Sequence, residues 1–352
     1  MALQFGHERE LIAVSLGHFG MRACFMLVLG LAGTAQAADG SSQGDAIGWL
    51  KKMASAARQQ NYSGTIVYQY GGQVETSKVV HFVNNAGGEF EKLETLDGPA
   101  REVVRSNEQV ICYLPSAKMV LIEDRSRSAR NFPALLPESL HGISENYQIR
   151  TEGVDRVAGH DCQWIALAPR DNLRYGRRFC AELSSSLPLR AQTLSEKGEP
   201  IESFAFTQLT LGGTFSRERV KSKYAEKSRT QNWRVDRSAF SAAQPAPADT
   251  GWVLSSPLPG FKKLMEAKRS LGSRSGSVSQ IVLSDGLAAV SIFIEPMPSG
   301  QMKQALSHQG VVNIFKKPYG NHVVTVVGEA PQNTIVQIAN SVELKPQTAA
   351  VQ

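Results

Sequence analysis

From Gly64 to Ser106 the chain is written in short runs of alternating apolar and polar residues, each closed by a turn signal. The runs read GTIVYQY, VETSKVVHFV, EFEKLETL and REVVRS. Between them stand Gly71-Gly72, the stretch Asn84 to Gly88, and Asp97-Gly98-Pro99. Alternation with period two places successive side chains on opposite faces of a strand. Turns this short return the chain antiparallel to itself, because a parallel neighbour needs a far longer crossover. A meander with one covered and one wet face is expected, and QVICYLP and MVLIED extend it. In EFEKLETL, Phe90, Leu93 and Leu96 read as lying mostly on one side with charge between them.

One amphipathic helix precedes the meander. In DAIGWLKKMASAARQQ, Ile47, Leu50, Met53, Ala54 and Ala57 share a helical face, and Asp45 stands where an N-cap belongs. The strand pattern breaks between Ser126 and Ile143, where Phe132, Leu135 and Leu136 lie among prolines. Such a connection is either a lid over a cavity or plain core cover. Strands resume in YQIRTEGVDRV, HDCQWIALAP, RRFCAEL, LPLRAQTLS and IESFAFTQLTL. So many closely spaced antiparallel strands with one helix point to a strongly curved sheet. FSAAQPAPADTGW, near residue 245, is rich in alanine and proline and lacks periodicity, which marks a linker. A compact α+β unit follows. It is closed by the helix APQNTIVQIANSV, with Pro331 at its start and Ile335, Ile338, Ala339 and Val342 on one stripe.

The 352 residues are 42% hydrophobic and 20% charged with a formal net charge of +6, a balance far from that of disordered chains. Arg22, the apolar run Cys24 to Leu31 and Ala35-Gln36-Ala37 form a signal-peptide pattern. A start at Met21 and cleavage after Ala37 are expected, with residues 1–20 as an upstream extension and residues 1–37 absent from the mature chain. No later run is long and apolar enough to span a bilayer, so the protein is expected to be exported and soluble. Export leaves Cys112, Cys162 and Cys180 in an oxidising compartment, enough for at most one internal bridge.

Motifs that carry chemistry are scarce. In GHDC, His160 and Cys162 can share a strand face but Asp161 cannot join them, and a turn entering a strand explains the motif. There is no second ligand pair at metal spacing, no glycine-flanked serine, and no phosphate loop or dinucleotide fingerprint. No catalytic residue, metal or cofactor is assigned. FSRERVKSKYAEKSR mixes acids with bases and reads as a solvated strand or loop. Nucleic acid is not expected as a partner, because no basic block stands alone.

The stretch Asp171 to Leu194, DNLRYGRRFCAELSSSLPLRAQTL, leaves two alternatives open. Arg174, Arg177, Arg178 and Arg190 either grip an anionic headgroup through paired N–H donors or form the wet face of a hairpin. Cys162 and Cys180 come near one another if their strands pair, as a candidate disulfide or as two half-buried thiols.

Several blocks together resemble the MucB/RseB family of periplasmic regulators of an envelope-stress sigma factor. They are NYSGTIVYQYGGQVETSKVVHFV, the run from GVDRVAGHDC to LPLRAQTL, and the terminal SDGLAAVSIFIEP, VVTVVGEAP and TIVQIANSV. The resemblance spans roughly Asp45 to Glu343. It implies an α+β fold in two parts. Residues 45–238 would form an antiparallel half-barrel like that of the lipoprotein carrier LolA, with helices over its open, apolar side. Residues 239–250 would be an Ala/Pro linker, and residues 251–345 a smaller C-terminal α+β domain. The resemblance further implies binding to the periplasmic part of a transmembrane MucA/RseA-type anti-sigma factor. That binding would shield it from a site-1 protease until lipid or lipopolysaccharide entered the half-barrel. Self-association is a further implication. On this reading Phe132, Leu135 and Leu136 are candidates for the cavity's apolar cover, and the four arginines for headgroup contacts. The rival reading is a periplasmic lipid or lipoprotein carrier, which needs only the half-barrel.

Overall fold

The computed structural model of the chain describes residues 39–125, 132–137, 139–213, 216–237, 249–270, 277–297 and 302–345. The expected signal peptide, with its start at Met21 and cleavage after Ala37, lies outside them, as does most of the expected linker.

Helix α1 (Asp39–Gln59) comes first. It begins upstream of Asp45, which is an exposed position inside the helix rather than its cap. No proline between these residues stops the helix from extending. Strands β1 (Tyr62–Tyr70), β2 (Gln73–Val83), β3 (Glu89–Thr95), β4 (Glu102–Arg105), β5 (Gln109–Leu114) and β6 (Met119–Asp124) form one meander. After the short helix α2 (Ile143–Asn146), a second meander follows. It contains β7 (Tyr147–Val157), β8 (His160–Pro169), β9 (Gly176–Glu182), β10 (Pro188–Leu194) and β11 (Pro200–Leu211).

The meanders join where β1 pairs antiparallel with β11. With β12 (Arg234–Asp236) running parallel to β6, the strand order is β12-β6-β5-β4-β3-β2-β1-β11-β10-β9-β8-β7. The end strands do not pair with each other, so the sheet remains an open half-barrel. At the seam, a Cβ on Gly64 would lie 2.2 Å from the Gln208 carbonyl oxygen, so glycine alone permits this close approach beside the bulge at Thr65/Ile66.

Helix α1 closes the concave side. Ala46, Leu50, Met53 and Ala57 pack into one core with Tyr62, Ile149, Ile165, Leu167 and Leu189. Each such leucine or methionine contributes about 1.5–3 kcal/mol relative to exposure. The grouping of Phe90 with Leu93 and Leu96 does not survive. Leu93 packs against this core, Phe90 stacks on Phe82 at 5.1 Å in a separate cluster, and Leu96 is exposed. Residues three apart on a strand point to opposite faces.

The chain after β11 returns over the outer face. FSRERVKSKYAEKSR is neither strand nor open loop: it holds a 3-10 turn (Arg217–Val220) and helix α3 (Ala225–Thr230). Val220 packs with Val80 and Phe82, and Trp233 with Tyr113, Val120 and Ile122. A few apolar anchors hold an otherwise charged segment in place.

The C-terminal unit has its own core. Strand β13 (Trp252–Leu254) precedes a sheet of β14 (Lys262–Ser270), β15 (Ser277–Ser284), β16 (Ala289–Pro296), β17 (Ala305–Gln309), β18 (Val312–Tyr319) and β19 (His322–Gly328). Their order is β14-β15-β16-β19-β18-β17. Helix α4 (Gln332–Asn340) buries Ile335, Ile338 and Ala339 against Ile292, Val324 and Val326. Val342, expected on the same helical stripe, belongs instead to β20 (Val342–Leu344), which pairs with β13, and is buried in the same core. Among the described residues no helix is long and apolar enough to cross a membrane.

Candidate functional site

Strand alternation sorts the concave face into rows. Ala191 of β10 faces Phe179 of β9 and Phe204 of β11, and Phe204 faces Tyr68 of β1. These four residues form an apolar row. Two positions along the same strands, Arg177 faces Thr193 and Thr193 faces Glu202, a polar row beside it. Arg177 donates to the Thr193 hydroxyl, which donates to Glu202 at 3.0 Å, and Tyr68 donates to the other Glu202 oxygen at 2.9 Å. Both rows line a cavity of about 1360 Å³. Phe132 stacks on Phe204 with ring centroids 5.8 Å apart. Phe132 and Leu136 are buried in the half-barrel core, while Phe132 and Leu135 line the cavity. Phe132 therefore belongs both to the core and to the cavity wall.

Toward β3 the concave face turns ionic, which departs from the apolar side expected from the resemblance. Arg105 pairs with Glu91 at 2.5 Å, Arg125 with Glu89 at 2.5 Å, and Arg101 with Glu75 at 2.9 Å. His81, stacked on Tyr62 at 4.6 Å, donates from Nδ1 to the Gln60 carbonyl oxygen at 2.7 Å and places Nε2 3.3 Å from Glu89. Burial alone would raise the Glu89 carboxyl, but hydrogen bonds from His81 and Arg125 outweigh it and hold the group below its ordinary value. Glu182 behaves likewise: burial opposes its charge, and the hydroxyl and backbone groups of Ser184 and Ser185 outweigh it.

The sign of the pH effect follows. A carboxyl held low in the folded state stabilises the fold fully above its unfolded value, about 4.3, and that contribution is lost as pH falls through the folded value. The melting temperature is expected to fall between about pH 5 and pH 3, and less steeply in Glu89→Gln. Calorimetry across that range checks it; an identical slope in the variant would remove Glu89 from the account.

At the tip of the β8–β9 hairpin, residues 170–175 leave the sheet and enter the C-terminal unit. Leu173 joins the core of Trp252, Phe261 and Ile335, and its carbonyl accepts the Thr334 hydroxyl at 3.0 Å. The Arg174 side chain is wholly buried. Its Nε and Nη2 each donate to Asp171 at 2.9 Å, its Nη1 to Asp285 at 3.1 Å, and its Nη2 also to the Pro259 carbonyl at 2.8 Å. Tyr147 donates its hydroxyl to Asp285 at 2.8 Å. Burial, reinforced by the Asp285 charge, pushes that hydroxyl well above its usual value, so it stays a donor. The other Asp285 oxygen accepts the backbone N–H groups of Leu287 and Ala288. Gly260 has φ +75°, and a Cβ there would lie 2.1 Å from Asn146 Oδ1, so the junction requires glycine. Nearer the cavity, Asn313 donates to the Tyr175 hydroxyl at 3.0 Å and Arg177 pairs with Glu329 at 2.8 Å.

Of the four candidate arginines, Arg177 alone lines the cavity. Arg174 is instead consumed by Asp171, on its own hairpin tip, and by the buried Asp285 of the C-terminal unit. Arg178 lies 4.4 Å over the Trp164 ring and pairs with Glu152 at 2.8 Å. Arg190 stands 3.9 Å from Asp155. Arg178 and Arg190 have the opposite strand parity to Arg177 and Ala191, so they point to the outer face, away from the expected rim. Cys162 and Cys180 form a disulfide with Cα atoms 5.3 Å apart. In the ladder Cys162 faces Glu182 and Cys180 faces Trp164, so the bridge runs diagonally across β8 and β9. Bridged, Cys162 offers no thiolate for His160 to activate. Among the described residues no cluster of His, Cys, Asp or Glu could hold a metal ion.

Sequence reasoning missed Asp285, Glu329 and the ionic pairs of β3–β6. One Asp285 oxygen caps its own turn and the other is left for Arg174 and Tyr147, a division that no local pattern shows.

Against known proteins, the profile of the MucB/RseB N-terminal domain matches residues 45–224, and that of the MucB/RseB C-terminal domain matches residues 246–343. The sigma factor AlgU regulatory protein MucB of Pseudomonas aeruginosa is 30% identical over 338 residues, covering 94% of this chain and 99% of that protein. The sigma-E factor regulatory protein RseB of Escherichia coli K12 is 22% identical over 295 residues, covering 84% and 89%. The solved Pseudomonas aeruginosa MucA/MucB complex is similar with a TM-score of 0.69 at 28% identity, covering 86% of this chain and 99% of that one. A crystal structure of MucB gives 0.59 at 28% identity, covering 86% and 98%.

Proposed function

The chain belongs to the MucB/RseB family, and on that premise we propose that it binds the periplasmic segment of a transmembrane anti-sigma factor and shields it from a site-1 protease. Lipid or lipopolysaccharide in the half-barrel cavity relieves the shield. The observation that carries this reading is the cavity's double wall. Leu287, Ala289 and Glu329 of the C-terminal unit line it together with Phe179 and Phe204 of the half-barrel. A molecule filling that space bears on how the two units meet, so it and a partner that favours one arrangement must oppose each other reciprocally. The MucA/MucB complex supports the partner class.

Location in the periplasm is supported by the leader pattern and by the Cys162–Cys180 bridge, since such bridges persist in oxidising compartments. A lipid carrier would use the same cavity, but the insertion of Leu173 and Arg174 into a second unit favours regulation over transport. The test is cleavage of the anti-sigma factor's periplasmic segment by its site-1 protease, with the mature protein present, with and without lipopolysaccharide. Protection that lipopolysaccharide relieves is expected. Protection without relief would leave a pure shield, and no protection would return the chain to the carrier reading.

A further inference from the structure

Residues 170–175 stand between the end of β8 at Pro169 and the start of β9 at Gly176, so by sequence they belong to the half-barrel. By packing they belong to the other unit. Leu173 lies in the C-terminal core and not in that of the half-barrel. The Arg174 guanidinium sits 5.9 Å over the Tyr147 ring of the half-barrel and 5.0 Å over the Phe261 ring of the C-terminal unit. All three of its nitrogens have acceptors, and two of those acceptors, Asp285 and the Pro259 carbonyl, come from the C-terminal unit. Asn146, at the end of α2, donates a further hydrogen bond to the Asp285 carbonyl at 3.0 Å.

This peg arrives preformed. Strands β8 and β9 pair as far as Leu167 and Arg177, and the Cys162–Cys180 bridge joins them. A rigid tip loses little freedom on docking, so most of its contact energy remains as attachment. Ion pairs that cross the junction elsewhere are of another kind. Glu329 is 46% exposed opposite Arg177, and Lys262 and Glu145 are both exposed at 3.8 Å. Such pairs hold little in water.

We infer that the tip is a docking surface in its own right, whose partner is the socket of Asp285, Phe261 and Thr334, and that it holds the two units together without the linker. A cut between the units therefore leaves the protein assembled. The C-terminal unit, seated on one buried peg, stays beside the cavity that its Leu287, Ala289 and Glu329 help to wall.

The test places a recognition sequence for a site-specific protease between Pro245 and Ala246 of the mature protein and cuts the folded chain. The tether supplies an effective concentration on the order of millimolar, and the cut removes it. At about 1 μM the two pieces then stay together only if the docked surface binds. Their elution as one species in size-exclusion chromatography is expected. Leu173→Ala with Arg174→Ala truncates the tip outside the half-barrel core, and should raise the dissociation constant of the cut protein at least about hundredfold. Thr334→Val removes the hydroxyl that bonds the Leu173 carbonyl, and should raise it about tenfold. Glu329→Gln with Glu145→Gln should change it less than about threefold. Circular dichroism before cutting shows whether each variant folds; should the tip variant fail to, Thr334→Val decides. Separation of the cut unaltered protein would overturn the inference. So would a folded tip variant or Thr334→Val that holds as firmly as the parent, or an exposed-pair variant that loosens as much as the tip variant.

Discussion

Asp285→Ala is expected to lower the unfolding free energy by about 3–5 kcal/mol, because it leaves a wholly buried arginine without its second counter-ion. The same change strips the acceptor from the Tyr147 hydroxyl and from the N–H groups of Leu287 and Ala288. Arg174→Met should cost less, about 2 kcal/mol. Asp285 then keeps those three donors, and Asp171, 30% exposed, can turn to water. Replacing both, as Arg174→Met with Asp285→Leu, should recover part of the loss seen with Asp285→Ala alone, since an apolar pair leaves no buried charge unmatched. Urea unfolding of the three variants checks the order. Equal costs for the two single changes would mean that the node is not organised around Asp285.

The second large effect concerns the bridge. Cys162→Ala with Cys180→Ala is expected to cost about 3 kcal/mol in the chain-entropy account, for half-cystines 18 residues apart. The closed loop contains residues 170–175, so the bridge also confines the tip that carries Leu173 and Arg174 into the neighbouring unit. Reductant should lower the urea midpoint of the unaltered protein and leave that of the double variant unchanged. Cys112 does not confuse the measurement: it is unbridged, and burial pushes its thiol above the usual value, which lowers the thiolate fraction available for exchange. A double variant within about 0.5 kcal/mol of the parent would show that hairpin pairing alone holds the tip.

Much of the fold was legible because strand signals are local. Alternation in GTIVYQY and VETSKVVHFV, with Gly71-Gly72 between them, specifies a hairpin without reference to the rest of the chain. The same locality explains the misreadings. Asp45 looks like a cap only if the helix starts after it. Val342 continues a helical stripe that the chain leaves at Ser341. The charged run after Gly213 reads locally as a solvated strand or loop, yet Val220 and Trp233 pin it to strands more than a hundred residues earlier. The arginine cluster was conspicuous as composition, but strand parity decided which side each member took.

By itself the sequence determined the two runs of antiparallel strands, the first and last helices, the two-part α+β organisation, the leader pattern and the family resemblance. All of these rest on spacing between near neighbours. Only the tertiary structure decided that Arg174 is a buried peg, that Arg177 alone of the four candidates faces the cavity, and that Glu329 closes the cavity from the other unit. Those facts depend on contacts such as Arg174 with Asp285, 111 residues apart, and Arg177 with Glu329, 152 apart. A chain read in one dimension carries no distance between such residues, and the burial that makes their charges matter exists only once both units have packed.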